Sequence, residues 1–372
     1  MKPFSTVVIG NESLLIGCCE ALLARGHDIR GVLSDNTDIR DWASSHGLNC
    51  YDATTDIEGP FDWLLSIANL RLLSDAVIAK ATKGAVNFHD GPLPERAGLN
   101  TPNWAILDGA TEHGITWHLI EGGVDEGDIL AQRRFAVAED ETAFSLNSKC
   151  YGAALDSFAE VLDQLESDDL RRQPQDLSQR RYHARADRPK AAGFLQCDRP
   201  VAELLRVVRG LDMGGYWNPL TAAKVRCGDH VVLVGQAQAA AGEGTPGQVL
   251  AVSDTDITLA CADGAICLSQ LTSPAGAPLR ATALVQQGDR LPLLSPAEIE
   301  TLEQDLLATQ KPEAFWRRAL ADMQTLPLPL GAADAAEEVS AEVELPASCT
   351  PEALAASTLA WLLRSTGEAS GS

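Results

Sequence analysis

The sequence predicts an α/β fold: a Rossmann-like parallel sheet covered by helices, followed by a small OB-like β-barrel and a helical tail. Three observations carry this. Strand-like and helix-like runs alternate from Ser5 to about Leu165, and such alternation builds a parallel sheet. From Leu220 to about Pro292 the pattern changes to short β-rich runs broken by Gly and Asp, as in small barrels. Beyond residue 296 apolar residues return to helical spacing.

Taken in order, Ser5–Gly10 (STVVIG) is a β-branched run, and Glu12–Arg25 carries Leu14, Leu15, Cys18 and Leu22 at helical spacing before Gly26, a usual helix stop. Asp28–Leu33 reads as a strand, Asp38–His46 as a helix and Phe61–Ala68 as a third strand. A helix is expected over Leu73–Ala81, then a short strand, Ala85–Phe88, entering a Pro- and Gly-rich loop. Thr101–Leu107 reads as a helix with Pro102 in its first turn. Gly114–Ile120 and Ile129–Val137 are strands, and Glu141–Leu165 is a long amphipathic helix. Residues 167–192 are polar and irregular, the composition of a connector. Ala202–Gly210 is helical, HVVLVG, GQVLAV, DITLAC and AICLSQL supply the barrel, and helices follow at 296–311 and Leu354–Leu363. The Ala- and acid-rich stretch from Leu330 to Glu344 is expected to be flexible. These breaks divide the chain into 1–170, 171–195, 196–292 and 293–372.

Charge narrows the partners. Among 372 residues, 29 Lys and Arg oppose 52 Asp and Glu, a net charge of −23. So acidic a surface repels phosphate backbones and argues against nucleic acid as a partner. One basic run (Arg171, Arg172, Arg180, Arg181, Arg185, Arg188 and Lys190) lies in the connector, where it is expected to pair with the acidic body. The nine cysteines form no CxxC pair and read as small buried hydrophobes in a reducing compartment. No metal site is expected. Lys2 precedes only a short apolar run, so no secretory signal is expected, and no apolar stretch is long enough to span a membrane. The expected location is cytoplasmic.

Two segments carry chemistry. In Val86–Pro94 (VNFHDGPLP), Asn87 and His89 alternate along a strand and project from one face at its carboxyl end, where ligands of such sheets bind. The Gly-Pro-x-Pro that follows is expected to expose main-chain groups to a flat ring. In Gly122–Asp128 (GGVDEGD), a carboxylate sits in a Gly-rich turn whose backbone can approach a ligand. A carboxylate beside an imidazole favours proton transfer there. On spacing alone, the Asn and His also suit capping or core roles, and the turn an ordinary hairpin.

NFHDGPLP, PNWAI, HGITWH and GGVDEGDIL, in this order and spacing, resemble the formyltransferases that use 10-formyltetrahydrofolate. These include the methionyl-tRNA, glycinamide ribonucleotide and sugar-nucleotide enzymes. The family's Asn-x-His-x-Ser-Leu-Leu-Pro signature falls on Asn87–Pro94 and its Leu-Asp-x-Gly-Asp turn on Val124–Asp128. The resemblance covers residues 1–170 as the catalytic domain and about 200–290 as the C-terminal barrel. It implies that Asn87 holds the formyl oxygen as charge develops, that His89 manages the amine proton, and that Asp125 pairs with His89 near the folate N10. It further implies a folate pocket lined by Gly91, Pro92, Leu93, Pro94, Glu121, Gly122, Gly123 and Val124, with Asn69 and Leu70 forming another wall.

This chain departs from the pattern at Gly91, where the family has Ser, and at Ala97-Gly98, where Arg-Gly is usual and Arg96 stands one position early. That loop faces the acceptor. Gly10-Asn11-Glu12-Ser13 replaces any GxGxxG fingerprint, so a dinucleotide role loses support. EAFWRRALADMQTLPLPL, AEVELPA and ALAASTLAWLLRSTGE resemble a stretch of the condensation domains of nonribosomal peptide synthetases. The condensation motif His-His-x-x-x-Asp-Gly is absent, so no condensation activity is implied. An aminoacyl group on a carrier protein, beside neighbouring synthetase domains, is the expected acceptor. A free small amine or sugar nucleotide, initiator transfer RNA, and a catalytically idle docking module are the alternatives.

Overall fold

The computed structural model describes residues 2–321 and 350–366. Its contacts divide the chain into two units, Met1–Gln304 and Asp305–Ser372. The first begins with β1 (Ser5–Ile9), α1 (Leu14–Ala24), β2 (Asp28–Leu33), α2 (Thr37–Ser45), β3 (Cys50–Tyr51), β4 (Phe61–Ser66), α3 (Asp75–Ile78) and β5 (Ala81–His89). β6 (Ala97–Gly98), α4 (Thr101–Leu107), β7 (Glu112–Leu119), β8 (Ile129–Ala136) and α5 (Ala143–Ser167) follow. The expected helix over Leu73–Ala81 shortens to α3, because Ala81 already pairs with Phe61 and draws the backbone into the ladder.

Seven strands form one sheet in the order β3-β2-β1-β4-β5-β7-β8. The expected parallel arrangement holds for the first five. β7 is antiparallel to β5, and β8 to β7, so the sheet is mixed. The turn 120–128 between β7 and β8 is too short for a crossover helix, which leaves only the antiparallel return. Alternate strand residues fill two cores. Val8, Trp63, Leu65, Val86 and Trp117 face α1 and α5, while Val7, Ile9, Leu33, Leu64 and Ala85 face the other layer with Ile57 and Val77.

Residues 171–183 return across the first domain and contribute β9 (Tyr182–His183), which pairs in parallel with β6. Next come α6 (Val201–Gly210), β10 (Lys224–Cys227), β11 (His230–Ala240), β12 (Val249–Val252), β13 (Ile257–Ala260) and β14 (Ala265–Thr272). This sheet is antiparallel in the order β10-β11-β14-β13-β12. The expected barrel is therefore a half-barrel, since edge strands β10 and β12 do not pair. α6 covers it, placing Leu204 and Val208 in one core with Val225, Val232, Ile257 and Leu268.

α4 and α6 join the two domains. Asn103 donates to the Gly210 carbonyl at 2.9 Å, and Trp104 lies flat on His183 with ring centroids 4.7 Å apart. PNWAI is thus an anchoring motif.

α7 (Pro296–Ala321) and α8 (Pro351–Thr366) complete the described elements. The stretch 330–344 and much of the synthetase-like sequence, including AEVELPA, lie outside the described residues. Cys18, Cys19, Cys150, Cys197, Cys227 and Cys261 are buried free thiols, and Cys50 and Cys267 are half-buried. Among the described residues no helix is long and apolar enough to cross a membrane, and no group of three or more His, Cys, Asp and Glu is placed to hold a metal ion.

Candidate active site

The carboxyl ends of β4 and β5 and the turn after β7 bring Asn87, His89 and Asp125 together. Register explains it. Asn87 pairs with His118 and His89 with Thr116, so these four share one sheet face, while Phe88 and Trp117 point into the opposite core.

Asn87 is held at both ends of its amide. Ser66 Oγ donates to Oδ1 at 2.8 Å, and Nδ2 donates to His118 Nε2 at 3.1 Å. His118 is oriented for this, because its Nδ1 donates to the Leu119 carbonyl at 2.8 Å and leaves Nε2 to accept. One Asn87 N–H remains for a ligand oxygen.

His89 is buried. Its Nε2 donates to the Arg96 carbonyl at 2.6 Å, and its Nδ1 lies 3.7 Å from Asp125 Oδ2 and 4.0 Å from Asp90 Oδ1. Asp125 adopts a left-handed backbone (φ 57°) and accepts the Gly98 N–H on Oδ2 at 2.8 Å. Burial raises the Asp125 carboxyl, but His89, His118 and the Gly98 amide outweigh it and hold the group below the usual carboxylate range. Asp90 goes the other way, raised by burial against the opposing pull of His89 and Thr101.

The expectation that Gly91–Pro94 presents free main-chain groups needs correction. Gly91, Pro92 and Leu93 are buried. The Gly91 carbonyl accepts Thr116 Oγ1, Pro92 O accepts the Arg96 amide, the Leu93 amide donates to Thr116, and Leu93 O accepts Gln132 Nε2. The Pro94 carbonyl faces the Arg181 amide. Gly91 has its own reason: a Cβ there would lie 2.5 Å from the Arg96 carbonyl and 2.9 Å from His89 Nε2.

Asn69 folds onto its own loop, donating to Ser66 Oγ and Arg71 O and accepting the Arg71 amide. Glu121 pairs with Arg172 at 2.5 Å. Gly122, Gly123 and Val124 are exposed, as is Leu70. The carbonyls of Leu70 and Val124 accept from Arg185 and Arg180, respectively. Both rims therefore meet the same returning segment. Residues 171–185, expected to be a connector, lie against both loops. The expected pairing of its arginines with the acidic body is found at Arg172, with Glu121 and Asp128, and at Arg180, 3.8 Å from Glu126.

His118 and Ser66 were not singled out from the sequence. For His118 the signal was the period-2 spacing of Thr116 and His118 in HGITWH. Ser66 gave none beyond ending a strand.

The chain thus pairs a mixed sheet that ends in an Asn–His–Asp cluster with an antiparallel half-barrel. Two family models match, Formyl transferase over residues 61–162 and Formyl transferase, C-terminal domain, over 189–288. The methionyl-tRNA formyltransferase of Myxococcus xanthus (strain DK1622) is 32% identical over 221 residues, which is 59% of this chain and 68% of the relative. That of Pelobacter propionicus is 29% identical over 208 residues, 56% of this chain and 63% of the relative. The matches thus span about two thirds of these curated relatives' length. In fold the chain is similar to WlaRD, a sugar 3N-formyl transferase crystallised in the presence of dTDP and 5-N-formyl-THF. The TM-score is 0.59 at 16% identity, over 73% of this chain and 98% of WlaRD. The chain belongs to the formyltransferase family that takes its formyl group from 10-formyltetrahydrofolate.

Proposed function

We propose that this chain moves the formyl group of 10-formyltetrahydrofolate to the primary amine of an aminoacyl group on a carrier protein of a nonribosomal peptide synthetase. The observation that best supports the chemistry is the Asn87–His118 bond, which fixes the amide yet spares one N–H. That N–H stabilises the formyl oxygen as the amine nitrogen adds to the formyl carbon. His89 takes the amine proton on Nδ1, the nitrogen left free by the Arg96 bond, and Asp125 stabilises the resulting imidazolium. As the C–N10 bond breaks, the proton passes to N10. Asn69, Leu70, Gly91–Pro94 and Glu121–Val124 line the donor pocket, the buried loop residues through shape and the exposed turn residues through their main chain.

We take residues 1–170 as the catalytic domain, 171–195 as a connector, 196–292 as the accessory half-barrel and 293–372 as a helical tail that resembles a condensation-domain fragment. The free thiols fit a reducing, cytoplasmic setting. For the acceptor, the net charge of −23 and the engagement of Arg172 and Arg180 by the acidic turn support a reading without nucleic acid. Formylation of transfer RNA is the second reading, favoured by the 32% identity to a methionyl-tRNA formyltransferase. Incubation with 10-formyltetrahydrofolate alone tests the donor half: a competent site releases formate slowly, whereas a docking module releases none.

A further inference from the structure

We infer that Gln175, in the segment between the two folded domains, is a positioning residue for Asp125, its side-chain amide clamping both sides of the turn that carries the carboxylate. The inference rests on the function proposed above. Between residues 171 and 180 only Gln175 and Arg180 turn inward; their neighbours are exposed. Gln175 Nε2 donates to the carbonyls of Asp125, at 2.9 Å, and Gly127, at 2.7 Å. Its Oε1 is buried and accepts no hydrogen bond from the described residues. No described residue holds that oxygen, so the two donated bonds set the side chain's direction.

The turn needs holding. Asp125 has a left-handed backbone, which L residues avoid. Gly127 is packed so closely that a Cβ would lie 1.9 Å from the Leu119 carbonyl. The same segment also reaches the carboxylate. Gly98, whose N–H binds Asp125 Oδ2, belongs to β6, and β6 is paired with β9. Arg180 adds a bond to the Val124 carbonyl at 2.9 Å. Main chain and carboxylate of Asp125 are both fixed through residues 175–183. The Asp125 Oδ2 to His89 Nδ1 distance of 3.7 Å is therefore set from outside the motifs that supply the two side chains.

A Gln175→Ala protein removes both donated bonds, and Gln175→Glu turns a carboxylate toward two carbonyls. Each should be made in the full chain, in the wild-type and the Asp125→Asn backgrounds. Turnover is read as formate release from 10-formyltetrahydrofolate, at enzyme concentrations high enough to follow residual rates. Tetrahydrofolate affinity is read by calorimetry, and protection of the 121–128 amides by hydrogen exchange. Misplacement by about 1 Å costs on the order of 10²-fold, so Gln175→Ala should lose about that much turnover while keeping folate affinity. In the Asp125→Asn background the same change should cost less than about twofold, because residues that act through one another are not additive. Equal losses in both backgrounds, or no loss with Asp125 present, overturn the inference. A wild-type protein that releases no formate overturns the proposed function instead. The exchange measurement then decides the clamp by itself: faster exchange at 121–128 in Gln175→Ala sustains it, and unchanged exchange refutes it.

Discussion

Asn87 donates through Nδ2 to His118 Nε2 across 3.1 Å, and the two residues stand directly opposite on adjacent antiparallel strands. The pairing turns a flexible amide into a fixed one. Ser66 holds its oxygen, His118 takes one proton, and the other proton has a single direction left. Removing His118 should therefore damage catalysis without touching the donor. His118→Leu is expected to lower turnover on the order of 10- to 100-fold, within the range for disturbing one oxyanion donor. Formate release and tetrahydrofolate affinity, measured in parallel, check it; a loss confined to affinity would contradict the role.

His89→Ala should lower turnover more steeply, by about 10²–10⁴-fold, the usual worth of a placed general base. Folate affinity should change little, because the proton moves only as the transition state forms. Unimpaired turnover with weakened binding would remove the base role.

Gly91→Ala tests why this chain lacks the family's Ser. The added Cβ would sit 2.5 Å from the Arg96 carbonyl and 2.9 Å from both His89 Nε2 and Thr101 Oγ1. Backbone cannot yield cheaply there, so a cost of about 1–3 kcal/mol is expected from overpacking. The His89–Arg96 bond should break as the loop shifts. Urea unfolding together with the rate of formate release reads both effects; a fully stable, fully active variant would show that the loop adapts.

His113 gives a pH prediction. It is buried, donates from Nε2 to the Asp90 carbonyl and leaves Nδ1 without a partner among the described residues. Burial pushes its pKa down from 6.5 to about 3, against the pull of that hydrogen bond. The unfolded chain takes a proton near 6.5 and the folded chain not until about 3, so acidification across that window favours unfolding. One such group contributes a slope of about 1.4 kcal/mol per pH unit. His27 and His183, also lowered by burial, add to it. His113→Gln keeps a donor and loses the titration. Its unfolding free energy should fall less steeply between pH 6 and 4.5 than that of the wild type. Parallel slopes would mean that His113 does not titrate on unfolding.

Much of this was legible along single segments. Ser5–Gly10 announces a strand through its β-branched residues and Phe61–Ala68 through its predominantly apolar ones, and Asn87 and His89 share a face by period alone. What escaped depends on residues far apart in sequence. His118 meets Asn87 only because β7 runs antiparallel to β5 in that register, and register is a property of the whole sheet. Gln175 hides in a run with connector composition, and its inward turn depends on carbonyls of a turn some 50 residues earlier. The half-barrel reads as a barrel because strand patterning reports alternation and says nothing of edge closure.

The acceptor is the remaining test. Transfer RNA binds through many Lys and Arg contacts, and each phosphate neutralised steepens the fall of affinity with salt. Here the whole chain carries −23, and Arg172 and Arg180 of the basic segment are already bound to Glu121, Asp128, Glu126 and the Val124 carbonyl. Binding RNA would mean giving up those partners, and with them the hold on the Asp125 turn. A carrier-borne aminoacyl thioester makes no such demand, because tethering supplies effective concentration without a large charged interface. Labelled formyl should therefore reach an aminoacyl-phosphopantetheine carrier faster than aminoacylated initiator RNA, and raising salt from 50 to 200 mM should slow the carrier reaction less than about tenfold, against the 10³–10⁵-fold typical of 6–10 phosphate contacts. Side-by-side transfer to both acceptors at the two salt concentrations measures this. Faster labelling of the RNA would assign this chain to the second reading.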